Sequence, residues 1–258
     1  MRSMKTTVIL PTYNEAGNIR DVISRIFEHA GRSDLDIIVA DDRSPDGTAG
    51  IVRQIASRDN RVTLLEGKGR RGRGIAGKRA FEYALSAGAD IVVEMDADMS
   101  HDPLYIPDML NKLETCDIVI GSRFIPGGAD ERGSFLRRLI SRSAKSLINL
   151  TLGIRVSDPT SGFRCFRRKA LEQLAPSTLV SADPFIVLEV LDRAVSAGLV
   201  IREVPVRFRE REKERSKLTM PLLLRCLKDL LVYRFSGAYR EKKRRIKGAG
   251  HHVWGKDE

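Results

Sequence analysis

Five short, largely apolar runs lie in the first 125 residues, and four amphipathic segments separate them. The runs are "TTVILPT" (6–12), "LDIIVADD" (35–42), "RVTLLEG" (61–67), "ADIVVEMDAD" (89–98) and "CDIVIGSR" (116–123). Between them lie "AGNIRDVISRIFEHA", "GTAGIVRQIASR", "GIAGKRAFEYALSAG" and "DPLYIPDMLNKLE". In the first of these, Ile19, Val22, Ile23, Ile26 and Phe27 recur at helical spacing. Strands that stay apolar along their length are buried on both faces, and a helix after each strand calls for parallel pairing. Right-handed crossovers then give an open α/β sandwich, a mostly parallel sheet flanked by helices.

Sheets of this kind bind ligands beyond the carboxyl ends of their strands. Polar residues collect there: "PTYNE" after the first strand, "DDRSPDGT" after the second, "DADMSHD" after the fourth and "GSRF" after the fifth. The most demanding stretch is "VVEMDADMSHDP" (92–103), where an apolar run ends in two carboxylates two residues apart. An unpaired buried charge is strongly unfavourable, so Asp96 and Asp98 either face water or hold something positive. Residues i and i+2 of an extended strand share a face, which lets the two converge on one hard cation, or lets one bind metal while the other takes a sugar hydroxyl. Mg²⁺ or Mn²⁺ suits carboxylate oxygen and keeps positions open for substrate phosphates. A DxD triplet alone is usually an ordinary acidic loop; its place at a strand end on the rim gives this one weight. His101 reads as a loop hydrogen-bonder rather than a further ligand.

Other motifs are weaker. "GKGRRGRGIAGK" matches neither GxxxxGK[ST] nor a GxGxxG after the first strand. A flexible entry to a helix and a nucleotide-contacting loop both remain open for it. No GxSxG, HExxH or catalytic triad is apparent.

The second half changes character. Residues 133–153 predict a helix with Arg138, Arg142 and Lys145 on one side and Leu136, Leu139, Ile140, Leu147 and Leu150 on the other. A further helix is expected over 183–198, a partly alternating strand over 199–210, and an apolar helix over 219–235 with Pro221 near its start. The basic tail, 236–258, is expected to be poorly ordered. One domain over 1–235 is therefore expected, in two parts of unlike character, about 1–125 and about 126–235.

No run of 18 apolar residues occurs, so no transmembrane helix is expected, and the N-terminal stretch lacks a signal-peptide cleavage site. Cys116, Cys165 and Cys226 lie far apart without CxxC spacing, which argues against zinc and disulfides and for a reducing, cytoplasmic location. The net charge of +11 fits an anionic partner (nucleic acid, phosphorylated metabolite or membrane surface) and equally a merely solubilising surface. Nucleic acid is disfavoured, because aromatic residues make up only 6% and are not interleaved with the basic ones.

Together, "VILPTYNE", "DDRSPDGT", "MDADMSHDP", "GSRF" and "SDPTSGFRCFRR" resemble the family-2 glycosyltransferases with a GT-A (nucleotide-diphospho-sugar transferase) fold. The likeness runs in register from about Thr6 to Phe235 and is strongest to the short dolichyl-phosphate mannose synthases without appended transmembrane helices. It implies inverting transfer of mannose from GDP-mannose to dolichyl or polyprenyl phosphate, with Mg²⁺ or Mn²⁺. UDP-glucose or another sugar nucleotide is the alternative donor. It also implies peripheral attachment to the cytosolic face of a membrane, directly or through a small membrane-protein partner.

By the same resemblance, Pro11, Tyr13 and Glu15 surround the base and ribose with Asp42 beside the base, and Asp96 and Asp98 hold metal and diphosphate. Arg123, Arg137, Ser141, Arg211 and Lys217 (of the Ser216–Lys217 pair) surround the lipid phosphate, and Asp98, Arg123 and Arg211 are the implied catalytic residues. Two positions depart from the pattern: Ser100 stands where many relatives have glutamine, and Glu214 where they usually have glycine. A phosphate monoester, with a second pKa of about 6, is already a nucleophile at neutral pH. The lack of a triad then agrees with the implied chemistry. The helices at 133–153 and 219–235 fit either the membrane interface or the core.

Overall fold

The computed structural model describes residues 4–30, 34–69, 71–131 and 145–208, together with 232, 233 and 235. Arg137, Ser141, Arg211, Glu214, Ser216 and Lys217 lie outside the described residues, as do the tail and most of the expected last helix.

The first half shows the expected alternation: β1 (Thr6–Thr12), α1 (Ile19–Ala30), β2 (Leu35–Asp41), α2 (Thr48–Ala56), β3 (Val62–Glu66), α3 (Arg73–Ser86), β4 (Ile91–Glu94), α4 (Ile106–Leu113) and β5 (Ile118–Ser122). Strands β3, β2, β1 and β4 pair in parallel, in that order. Their side chains divide between two cores. Ile9, Ile38 and Val92 join the cluster that holds Phe81 and the alanines of α3. Val8, Leu10, Ile37, Val39 and Val93 join the one that holds Ile19, Val22 and Ile26 of α1, Val52 of α2 and Met109 of α4. With a helical layer on each face, successive residues of a strand are all buried, so the strands read as runs rather than alternations.

The second half is less regular. It contains β6 (Ala129–Asp130), a helix over 145–152 (α5), β7 (Arg164–Arg167), α6 (Arg168–Leu174), α7 (Ile186–Ser196), β8 (Ile201–Pro205) and β9 (Arg207–Phe208). The main sheet has seven strands in the order β3-β2-β1-β4-β7-β5-β8, and β6 pairs with β9 in a small ribbon. Strand β7 is antiparallel to both its neighbours, β4 and β5, while β5 and β8 are parallel.

No strand was expected in "GFRCFRR". Phe163, Cys165 and Phe166 supply the apolar burial there, and all three are fully buried. The flanking arginines find carbonyls instead. Arg164 donates to the carbonyls of Ser161, Pro159 and Val187, and Arg167 to those of Leu113, Cys116 and Glu114. The expected strand over 199–210 divides at Val206, whose N–H bonds Ser122 O while its carbonyl accepts from Ala129. On α5, Ile148 and Leu152 pack inward, whereas Leu147 and Leu150 are exposed. Among the described residues no helix is long and apolar enough to cross a membrane.

Candidate active site

Among the described residues, three of the four non-glycine residues with positive φ lie just beyond parallel strands: Asn14 (58°) after β1, Arg43 (61°) after β2 and Met99 (64°) after β4. Left-handed backbone of this kind costs about 1–3 kcal/mol at each such residue, and the surroundings must hold it in place. Here they do. Asn14 N–H bonds Ser44 Oγ, Glu15 N–H bonds Thr48 Oγ1 and Ala16 N–H bonds Asp46 Oδ2, each at 2.9 Å. Asp42 N–H returns to Thr12 O at 2.9 Å. Burial opposes the charge on Asp46, but its bonds to Thr48 and Ala16 prevail and hold its carboxyl below the usual range. The loops after β1 and β2 are thus one hydrogen-bonded unit.

Of the residues assigned to the nucleotide, Tyr13 is exposed at the lip of this unit, with the Arg71 guanidinium 5.5 Å above its ring. Glu15 is buried and accepts from Asn18 Nδ2 at 3.0 Å. Asp42 is buried and accepts the Gly72 N–H at 2.6 Å, tying the loop after β2 to the glycine-rich segment. Pro11 lies near the end of β1, paired with Ala40 of β2.

Strand β4 stops at Glu94, so Asp96 and Asp98 are not on the extended strand that the sequence suggested. A tight loop presents them instead. Ser100 N–H bonds Asp98 Oδ1 at 3.0 Å across the left-handed Met99, and Asp96 N–H bonds His101 Nδ1 at 2.9 Å. Because Nδ1 accepts, the neutral ring carries its proton on Nε2, which lies 3.9 Å from Asp96 Oδ2. His101 is buried, stacked on Phe163 and tilted against Phe208, and it works as the expected loop hydrogen-bonder.

Among the described residues, Asp96 has a positive partner in the chain's own Arg73. Its Nη2 donates to Asp96 Oδ1 at 2.9 Å, and its Nη1 lies 3.3 Å from Glu94 Oε1. Burial opposes the charge, but Asp96, Glu94 and Asp98 outweigh it and hold the guanidinium above its usual range. Burial also pushes the Glu94 carboxyl up, against the pull of Arg73 and Arg164.

Arg73 comes from the glycine-rich segment, which is neither loose nor an entry of arbitrary sequence. A Cβ on Gly72 would lie 1.9 Å from Ala182 O, and one on Gly74 2.2 Å from Ser181 O. Gly74 N–H bonds Ala182 O at 2.9 Å. The glycines let a backbone loop seat on the start of α3, and that seat aims Arg73 at the DxD loop. Gly72→Ala is expected to lower unfolding free energy by about 1–3 kcal/mol, because the obstacle is backbone rather than a side chain that yields. Urea unfolding checks this, and an unchanged midpoint would show that the 181–182 loop moves freely.

Arg123 follows β5 and is buried among carboxylates. Its Nε and Nη2 bond the two oxygens of Asp158 at 2.6 and 2.7 Å, Nη1 bonds Asp130 at 3.2 Å, and Nη2 also reaches Thr160. Asp158 is fully buried, and its N–H and that of Ser157 bond Glu203 at 2.9 Å. The Phe208 ring lies against both His101 and Arg123, joining the DxD loop to this network. The "SDPTSGFR" stretch contributes Asp158 and Arg164, to which sequence reasoning assigned no role. Its polar residues set in a short motif without helical or strand period were the available signal.

Among the described residues no three His, Cys, Asp or Glu side chains are arranged to hold a metal. Asp96 and Asp98 supply two hard oxygen donors, which fits Mg²⁺ or Mn²⁺ that takes its remaining ligands from phosphate and water.

The family model for glycosyl transferase family 2 matches residues 7–175. Over 219 residues the chain is 34% identical to the polyprenol monophosphomannose synthase of Mycolicibacterium smegmatis, covering 84% of this chain and 82% of that protein. Identity is also 34% over 216 residues to the undecaprenyl-phosphate mannosyltransferase of Micrococcus luteus, covering 84% and 88%. The dolichol-phosphate mannosyltransferase of Pyrococcus furiosus is 35% identical, but the match spans only 59% of its length. Among solved structures, glucosyl-3-phosphoglycerate synthase of Mycobacterium tuberculosis with Mn²⁺, UDP and phosphoglyceric acid aligns with a TM-score of 0.65 at 25% identity, covering 90% of this chain and 78% of that one. The form with Mg²⁺ and UDP gives 0.63 at 24%, covering 90% and 79%. The expected GT-A architecture is therefore the fold of this chain.

Proposed function

The chain belongs to glycosyl transferase family 2, and we propose that it transfers mannose from GDP-mannose to a dolichyl or other polyprenyl phosphate with inversion at the anomeric carbon. The observation that carries this reading is identity of 34% across more than four-fifths of the chain to two relatives named for mannose and polyprenyl phosphate. The geometry supports it. A carboxylate pair lies on the rim beyond the strand ends, Arg73 stands beside it, and the chemistry needs no general base.

Asp96 and Asp98 would hold Mg²⁺ or Mn²⁺ with the donor diphosphate, as the solved relative at 25% identity holds Mn²⁺ with UDP. The metal would supply charge neutralisation for the departing nucleoside diphosphate. The chain's residues do the positioning. Tyr13, Glu15, Asp42 and Pro11 form the side assigned to the nucleoside. The buried Arg123 anchors the network at the end of β5, the end assigned to the acceptor with Arg137, Ser141, Arg211 and Lys217. Catalysis is then orientation and charge stabilisation, with the acceptor phosphate itself as nucleophile.

Exposed Leu147 and Leu150 on α5, with exposed Val232 and Phe235, suit attachment to a membrane face or a membrane-protein partner where the lipid acceptor resides. UDP-glucose is the second donor reading, favoured by the UDP bound in the solved relative.

The test is transfer from GDP-mannose to a short, detergent-soluble polyprenyl phosphate with Mg²⁺ or Mn²⁺, with UDP-glucose alongside. Lipid-linked mannose is expected, inhibited by GDP more than by UDP. Product from UDP-glucose alone would overturn the donor, and no product from either would overturn the reading.

A further inference from the structure

The donor rim carries a cation of its own, and its two carboxylate partners are unlike. Glu94 is 4% exposed in its side chain and closed to solvent, whereas the Asp96 side chain is 32% exposed. Arg73 meets Asp96 through a hydrogen bond at 2.9 Å and Glu94 through a longer ion pair at 3.3 Å. Its Nη1 is buried and makes no hydrogen bond. The fold anchors the base of this side chain, since the backbone of 181–182 closes over Gly72 and Gly74, and Gly162 leaves room beside Nη2, where a Cβ would lie 2.7 Å away. The Glu94 side of the guanidinium is therefore closed to a ligand, and the Asp96 side is open to one.

Resting on the donor-site reading above, we propose that Arg73 is a positioning residue that competes with the divalent cation for Asp96 and makes cation binding depend on the nucleoside diphosphate. Alone, a cation must displace a guanidinium from a carboxylate it needs. With a diphosphate present, the guanidinium edge displaced from Asp96 gains phosphate oxygens, while Glu94 keeps the other edge. Metal and donor then enter together, and the cation is weakly held between turnovers. The arginine does here what the cation does in the loaded site: it neutralises the rim carboxylates.

The test measures Mn²⁺ binding to the full chain by the electron paramagnetic resonance of free Mn²⁺, with and without GDP and without any turnover. Wild type is expected to bind Mn²⁺ about tenfold or more tightly with GDP than without. Arg73→Met is expected to bind Mn²⁺ alone about tenfold or more tightly than wild type, with little further gain from GDP. Arg73→Lys keeps the charge and stays near wild type. Arg73→Met leaves Glu94 buried without its partner, so Arg73→Met/Glu94→Gln is measured beside it and is expected to show the same gain. If wild type binds Mn²⁺ with GDP and neither methionine variant gains affinity for Mn²⁺ alone, the competition is overturned while the donor site stands. If Mn²⁺ binds none of the proteins even with GDP, the donor-site reading falls and this inference with it.

Discussion

Arg123→Met is expected to lose about 3–5 kcal/mol of unfolding free energy, measured by urea or guanidinium titration of the folded chain. The cost comes from the carboxylates that the arginine leaves behind. Asp158 is fully buried and the Asp130 side chain is only 6% exposed, so both would lose the guanidinium that bonds them out of reach of water. Burial works against the Arg123 charge, yet its bonds to Asp158 and Asp130 overcome this and raise its pKa. Arg123→Lys keeps the charge but not the fork that meets both Asp158 oxygens, so its loss should be smaller and still measurable. Adding Asp158→Asn to Arg123→Met should recover part of the loss, because the stranded charge is then gone. A wild-type midpoint for Arg123→Met would mean that the carboxylates have other support. The role proposed for Arg123 at the acceptor phosphate must therefore be read from kcat on protein shown to be folded.

Asp98→Asn should reduce sugar transfer at least about a thousandfold, on the order of 4 kcal/mol of transition-state stabilisation. Asparagine keeps an oxygen to accept the Ser100 N–H that closes the loop at 3.0 Å, so the backbone geometry is retained and only the charge is lost. The effect belongs in kcat, with the unfolding midpoint close to wild type. Activity above a tenth of wild type would remove Asp98 from the proposed metal and diphosphate role. Asp98→Ala is the poorer experiment, because it also removes the turn acceptor beside Met99, whose φ is 64°.

The rim itself was legible in the sequence. Strands β1, β2, β4 and β5 announce themselves by continuous apolar runs, and each run gives way to polar residues. The gathering of Tyr13, Asp42, Asp96 and Arg123 at one end of the sheet is then a consequence of parallel order. His101 was legible as a loop hydrogen-bonder for a similar reason: a single histidine near a turn meets backbone donors first. The glycine-rich segment was visible but ambiguous. Its glycines are explained only by the 181–182 backbone lying against them, more than a hundred residues later in the chain.

What the sequence determined by itself is local order: where burial repeats with a period of two or of 3.6, where it stops, and which polar residues stand at each stop. Those signals are carried by neighbours in the chain, so they survive without a partner. Which strand lies beside which, and which charge meets which, were decided by tertiary structure alone. Strand β7 enters between β4 and β5, Arg73 reaches Asp96 across 23 residues, and Arg123 reaches Asp158 across 35. A buried charge has no periodic signature, because its partner is set by where the chain closes in space rather than by its position in sequence. The paired aspartates could be found in the sequence; the arginine that holds one of them could be found only in the fold.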